Sequence, residues 1–209
     1  MMEQQLLFLV PKNNIMNKII IKLAFTLIFF SVFSCKAQQE YPLKTDYTEI
    51  PNNSYLKDFS NELDAFTGNY IANFQDKKII LFITKQNYQF FDRGKYKYYK
   101  DVLSVKFTIK NSSGITLQDT QNMAFQPNEL KNTIYSRWIE TTDNRLLLYY
   151  GGTNCGVGWG DIFLKKINST QISWEYRPND IVIDDSKCPP GTDINIYLPE
   201  TKDLIFTKQ

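Results

Sequence analysis

An antiparallel all-β barrel or sandwich, entered through one short α-helix, is the fold class this chain predicts. Three observations carry that expectation. Apolar and polar residues alternate over several runs, as they do when one face of a sheet is wet and the other dry. Clusters of turn-forming residues separate the runs, at the spacing of about 8–12 residues found in barrels and sandwiches. Only one stretch has a convincing helical period.

Residues 1–15, MMEQQLLFLVPKNNI, sit badly at the head of a signal, which begins near its positive charges. Met16 is the natural start, so this stretch reads as a mis-assigned start or an N-terminal extension. Residues 16–34 read as a lipoprotein signal peptide. Lys18 and Lys22 make a positive n-region, and the apolar stretch Leu23–Phe33 comes after it. About eleven residues suit the h-region of a signal, which needs about 7–15. A spanning helix needs about 20. Val32-Phe33-Ser34-Cys35 resembles the bacterial lipobox. That resemblance implies cleavage before Cys35 and lipidation of its thiol, giving a membrane anchor through several acyl chains. An ordinary signal with an incidental cysteine and an uncleaved membrane span are the alternatives.

Residues 35–53 are polar and aperiodic and read as a tether. Residues 54–209 are expected to form a single β-barrel domain. Its helix comes first: Leu56, Phe59, Leu63 and Phe66 recur at 3-4-3 spacing, with Ser54 as a cap and Gly68 as a stop. Strands come next. KKIILFITK (77–85) is dense in β-branched residues. LSVKFTIK (103–110) and QISWEYR (171–177) alternate, and DINIYL and DLIF continue the theme. Asp92-Arg93-Gly94, Asn111 to Gly114, Asp143-Asn144, Asn168-Ser169 and Pro199 to Thr201 supply turn chemistry. Apolar parity changes between Tyr98 and Leu103, which predicts a bulge or bend near Lys100-Asp101.

Charge excludes little and directs less. The chain holds 24 Lys+Arg and 22 Asp+Glu, but Lys12, Lys18, Lys22 and Glu3 all fall before residue 35. Without them the balance is zero, so the mild basicity says nothing of nucleic acid. The 209 residues less the first 34 leave 175, enough for one self-sufficient core. Of the 3 cysteines, Cys35 is assigned to lipid. Cys155 and Cys188 are then free to pair in an oxidising compartment. Their loop of about thirty residues would contribute roughly 3–4 kcal/mol. A thiol metal site would want more ligands than these two cysteines supply.

There are 0 histidines, so a Ser-His-Asp or Cys-His arrangement cannot form and the common zinc sites are excluded. No metal site, cofactor or catalytic residue is expected. GGTNCGVGWGD (151–161) is glycine-rich, yet it lacks the Gly-Lys-Ser/Thr that opens a phosphate loop. It reads as a tight connection beside Cys155. Asp184, Asp185 and Asp193 could attract a hard cation, but a solvated loop pinned by Cys188 and stiffened by Pro189-Pro190 explains them. Residues 85–110 interleave Lys85, Arg93, Lys95, Lys97, Lys100, Lys106 and Lys110 with Tyr88, Phe90, Phe91, Tyr96, Tyr98 and Tyr99. Such mixtures bind single-stranded nucleic acid. On strands, however, Lys95 and Lys97 lie opposite Tyr96 and Tyr98, as the solvated back of a core row. Contact with anionic head groups or surface polysaccharide suits an exported protein better, and no nucleic-acid partner is expected.

ELDAFTGNYIA, where a helix runs into Gly68-Asn69-Tyr70, is similar to the opening of lipocalin-like barrels. YYKDVLSVKFTIKN (98–111), CGVGWGDIFL (155–164), ISWEY (172–176), DLIFTKQ and the leader end SCKAQ resemble a family of small bacterial lipoproteins of unknown function. The likeness spans most of residues 54–209. It implies a lipocalin-like β-barrel of about eight to ten strands and brings no catalytic residues with it. The expected setting is the bacterial cell envelope, on the outer membrane, with contact to the membrane through the N-terminal lipid. Two functions are expected of such a barrel. It holds an apolar or amphipathic ligand in its mouth, or it is a filled structural or interaction protein with a protein or glycan partner. An enzyme is not expected.

Overall fold

Eight strands close into an antiparallel barrel in which chain order and spatial order agree. In the computed structural model, residues 37–209 are described, apart from 141, 185 and 187. The strands are β1 (Glu40–Pro42), β2 (Tyr55–Lys57), β3 (Gly68–Phe74), β4 (Lys77–Arg93), β5 (Tyr96–Asn111), β6 (Thr116–Asp119), β7 (Ile134–Glu140), β8 (Arg145–Tyr150), β9 (Gly160–Lys166), β10 (Gln171–Pro178) and β11 (Leu204–Lys208). The barrel runs β3-β4-β5-β7-β8-β9-β10-β11, and β11 returns to β3 through Thr207 opposite Ile71. Each neighbour pair is antiparallel, so this is an up-and-down barrel, and closure removes the sheet edges. Among the described residues, no helix is long and apolar enough to cross a membrane.

The alternating residues of the sequence fill the interior. Ile79, Leu81 and Ile83 of β4 face Ile109, Phe107 and Val105 of β5 in register, and all are buried. Tyr150, Ile162, Leu164, Ile172, Trp174, Tyr176 and Phe206 complete the same cluster from the far wall. Trp174 is 0% exposed, and its indole N–H donates to the Pro199 carbonyl at 3.1 Å. Truncating one such aromatic costs about 3–5 kcal/mol. Gly68 begins β3 at φ +138°, where an added Cβ would meet Lys208 Cε at 2.4 Å. That lysine donates to the Thr67 carbonyl at 2.8 Å and its flexible end could move aside, so it is the positive φ that favours glycine where the first and last barrel strands meet.

The expected α-helix is not there. Its span divides into β2, parallel to β5 with Leu56 opposite Lys100, and a single 3₁₀ turn, Glu62–Phe66. Asn61 between them is left-handed, at φ 54°. The buried Asp58 carboxylate accepts the Glu62 and Leu63 amides at 2.9 and 3.1 Å, which starts the turn at Glu62, well past the Ser54 cap of the expected helix. Leu63 and Phe66 are buried from the turn and Leu56 from the strand, while Phe59 is 54% exposed. The 3-4-3 spacing therefore came from two unlike elements.

Within the stretch read as a tether, residues 40–50 lie against the sheet. β1 pairs with β2 in parallel, and Leu43 and Ile50 are buried. The parity change has a different cause from a bend in β5. That strand keeps strict alternation, with odd residues inward and even residues outward. Leu103 and Val105 enter the barrel core, and Tyr98 and Val102 join a second cluster with Ile50, Leu56, Phe91 and Tyr135. The irregularity lies in β4, where the register slips between Gln86 and Gln89. Asn87 and Tyr88 stand opposite Asp101 alone, which turns Phe91 and Arg93 outward beyond the bulge.

Candidate functional site

A cavity of about 230 Å³ opens on the outer wall, over this second cluster. It is framed by β4, β5, β7 and β8 and by two loops that supply Tyr47 and Leu130. Alternation sends Phe91, Arg93, Tyr98, Lys100, Tyr135 and Tyr149 outward to line it. Two bulges flank it. The first is at Asn87–Tyr88. The second is in β7, where Arg137 is the extra residue between Ser136 and Trp138. Bulges re-aim side chains, and here the extra residue is one of the two arginines that line the groove.

The groove lies at the narrowest seam of the barrel. β5 and β7 share one ladder pair, Ser104 with Tyr135. Side chains extend the seam. Leu103 N–H donates to Ser136 Oγ at 2.8 Å; farther along β5, Phe107 N–H donates to Thr120 Oγ1, just after β6, at 2.8 Å. Lys100 Nζ donates to the Arg137 carbonyl at 2.7 Å. The lysine thus ties β5 to the β7 bulge and also brings a charge to the groove.

Rings form the floor and one wall. Tyr47 stacks on Tyr98 with centroids 5.0 Å apart, and Tyr98 stacks on Phe91 at 5.4 Å. Tyr135 leans on Phe91 at 5.4 Å and on Tyr149 at 5.7 Å. Cations lie over these rings. The Arg93 guanidinium sits 5.3 Å from the Phe91 centroid and donates to Tyr135 Oη at 2.6 Å. Arg137 is 5.7 Å from the Tyr149 centroid. Among the described residues, Arg93, Lys100 and Arg137 form no ion pair, and no acidic residue lines the cavity. Lys44, which shares a small adjoining cleft with Lys100 and Arg137, is already held by Glu62 at 2.7 Å.

The electrostatics follow from that composition. Burial, with the Arg137 charge adding to it, pulls the Lys100 pKa down to about 8. Burial pushes the Tyr98 hydroxyl up to about 12 against the opposing pull of Arg93, and it also raises Tyr135. All three phenol and ammonium groups are therefore hydrogen-bond donors at neutral pH. The groove offers cations, donors and ring faces, and among the described residues no carboxylate lines it.

The residues singled out from sequence are scattered. Cys155 and Cys188 form the expected disulfide, joining the glycine-rich connection to the proline-stiffened loop. The segment after Gly156 enters strand β9 rather than a helix, which excludes a phosphate loop. Gly158 is left-handed at φ +71°, and its carbonyl accepts the buried Tyr176 hydroxyl. Asp184 and Asp193 spend carboxylate oxygens on their own loop, on Ser186 N–H and on Asn195 and Tyr197. Asp185 lies outside the described residues, as does Cys35. No group of three or more His, Cys, Asp or Glu is placed to hold a metal among the described residues.

Of the basic residues in 85–110, Arg93 and Lys100 reach the groove. Lys85 is drawn to Asp58 and Asp64 at 2.9 and 3.0 Å, and Lys97 to Asp92 at 3.2 Å. Sequence reasoning missed Tyr47, Leu130, Tyr135, Arg137 and Tyr149. The first lay in the supposed tether, and a lone arginine gives no sign that it occupies a bulge.

No curated protein matches this chain, and no solved structure does. One family model matches residues 16–209, that of a family of unknown function (DUF6705), and the chain belongs to that family.

Proposed function

We propose that this is a non-catalytic, lipid-anchored protein of the bacterial cell envelope, held on the outer membrane, that binds its partner outside the barrel. The barrel is the scaffold and the groove over β5 and β7 is the working surface. The observation that carries the reading is the packing of the interior: Tyr70, Phe107, Tyr150, Trp174 and Phe206, each at most 1% exposed, occupy the space a carried ligand would need. This favours the filled-barrel alternative over a small lipophilic ligand in the mouth. The up-and-down order of eight strands supports kinship with lipocalin-like barrels, though shared architecture says nothing of shared cargo. The Cys155–Cys188 disulfide supports export, because disulfides persist in oxidising compartments. The Val32-Phe33-Ser34-Cys35 sequence supports cleavage and lipidation at Cys35. No cofactor, metal or nucleic acid enters the reading.

Fractionation tests it. The wild-type protein is expected in the membrane fraction, with a mature N-terminus at Cys35 that carries acyl chains by mass spectrometry. Cys35→Ser is expected to leave that fraction. A variant as fully membrane-bound as wild type would overturn the anchor.

A further inference from the structure

We infer that the groove binds an acidic polysaccharide, taking one carboxylated sugar unit at a time, with the carboxylate on Lys100 and Arg137 and the ring against Tyr47. The inference deepens the reading of the groove as the working surface and rests on it.

Three features point to this ligand. The first is charge. Arg93, Lys100 and Arg137 converge on one cavity, without an ion pair to any described residue. Lys78, Lys106, Lys110, Lys166 and Lys208 of the same sheet also lack an ion pair to a described residue, so what sets these three apart is their convergence on one ring-lined cavity with no described acidic residue in its lining. A half-buried ammonium whose protein acceptor is a backbone carbonyl gains most from an arriving anion, because a nearby opposite charge offsets its desolvation.

The second feature is the ring surface. Tyr47 is 37% exposed at the groove edge and is backed by Tyr98 and Phe91 in a continuous stack. An aromatic face is electron-rich and attracts the polarised C–H groups on one side of a pyranose ring. An acidic peptide would use the cations and leave that flat face without a matching surface.

The third is size. A site for a whole small molecule usually encloses about 300–1,000 Å³. This cavity is about 230 Å³, smaller than that range. A space of this kind suits one unit of a chain whose neighbours stay in solvent. Repetition along the polymer then raises the apparent affinity of a weak single contact.

The test uses the full chain extracted in detergent and titrated with polygalacturonate, neutral dextran and poly-glutamate at low and high salt. Saturable binding to polygalacturonate, weakened by salt and absent with dextran, is expected. Lys100→Met with Arg137→Gln should weaken it at least about tenfold, the equivalent of roughly 1.4 kcal/mol. Tyr47→Ala leaves every cation in place. It should weaken polygalacturonate binding about five- to tenfold and leave any poly-glutamate binding unchanged. Melting curves identify a variant that has not folded, and Tyr47→Ala, at an exposed edge, keeps the question open to an answer if the double variant fails. Poly-glutamate bound as tightly as polygalacturonate, with the double variant weakening both, would overturn the sugar assignment and leave the groove as the working surface. Polygalacturonate binding that both variants leave unchanged would overturn the site itself. No binding to any polyanion would overturn the inference while membrane anchoring through Cys35 is judged separately.

Discussion

The Asp101 carboxylate accepts the backbone N–H of Tyr88 at 2.9 Å, directly across the ladder from the β4 bulge. It also accepts the Tyr55 hydroxyl at 2.5 Å and the Asp58 amide at 3.0 Å. One buried side chain therefore fixes the point where β4 changes face, the short strand β2 and the entry to the 3₁₀ turn. The outward rows that build the groove depend on that change of face.

Asp101→Ala removes the acceptor from three donors at once. Buried donors left without partners are costly, so the substitution is expected to lower stability by about 3–5 kcal/mol in a urea titration. A loss below about 1 kcal/mol would show that the bulge holds without its carboxylate.

The pH dependence of stability should carry the signature of Lys100. Its folded pKa of about 8 lies below the ordinary 10.5. Between those values the unfolded chain binds more protons than the folded one, so this group makes stability rise as pH climbs. The effect is absent below the folded value, where both states are charged. Lys100→Met loses the bond to the Arg137 carbonyl at every pH but also lacks this rise, so its stability relative to wild type should be highest below about pH 8 and fall toward about pH 10. Above that, raised tyrosines such as Tyr98 work in the opposite direction, so the comparison belongs between pH 8 and 10. Parallel pH profiles for the two proteins would contradict the assignment.

Reducing the Cys155–Cys188 bond frees the loop it closes and is expected to cost roughly 3–4 kcal/mol. Denatured protein taken from its own compartment should show no free thiol at these positions by Ellman assay. Two titratable thiols would show that the bond is not formed in the cell.

Trp174→Ala opens a void in the filled barrel and should cost about 3–5 kcal/mol. It should also create a site for a small apolar probe that wild type does not bind, since an empty apolar cavity stays dry and accepts such guests. Saturable probe binding by wild type would contradict the packing account.

The barrel was legible in the sequence wherever one face is dry and the other wet. Val105-Phe107-Ile109 and Ile172-Trp174-Tyr176 alternate because each points into one core. Legibility failed where both faces are covered. Val102 and Leu103 are adjacent and both 0% exposed, because a second cluster packs on the outside of β5. The apparent helix failed for a related reason, since Leu56 and Leu63 belong to different elements with different partners. Arg93, Tyr98 and Lys100 stand out among charged and aromatic neighbours, but the row with Tyr98 was expected in the core, whereas Tyr98 faces outward to line the groove. Arg137 could not be read, because its direction is set by a bulge in a strand pairing that no local pattern encodes.

The central claim is that the interior is closed and that binding happens on the outer wall. Nuclear magnetic resonance on the folded protein tests both parts together, following the Trp174 indole N–H inside and the Arg93 and Arg137 side-chain signals in the groove. Fatty acids should leave the Trp174 signal in place, and polygalacturonate should move the arginine signals in a saturable way while Trp174 stays fixed. A Trp174 signal that shifts saturably with fatty acid, beside arginine signals that no polyanion moves, would contradict the account.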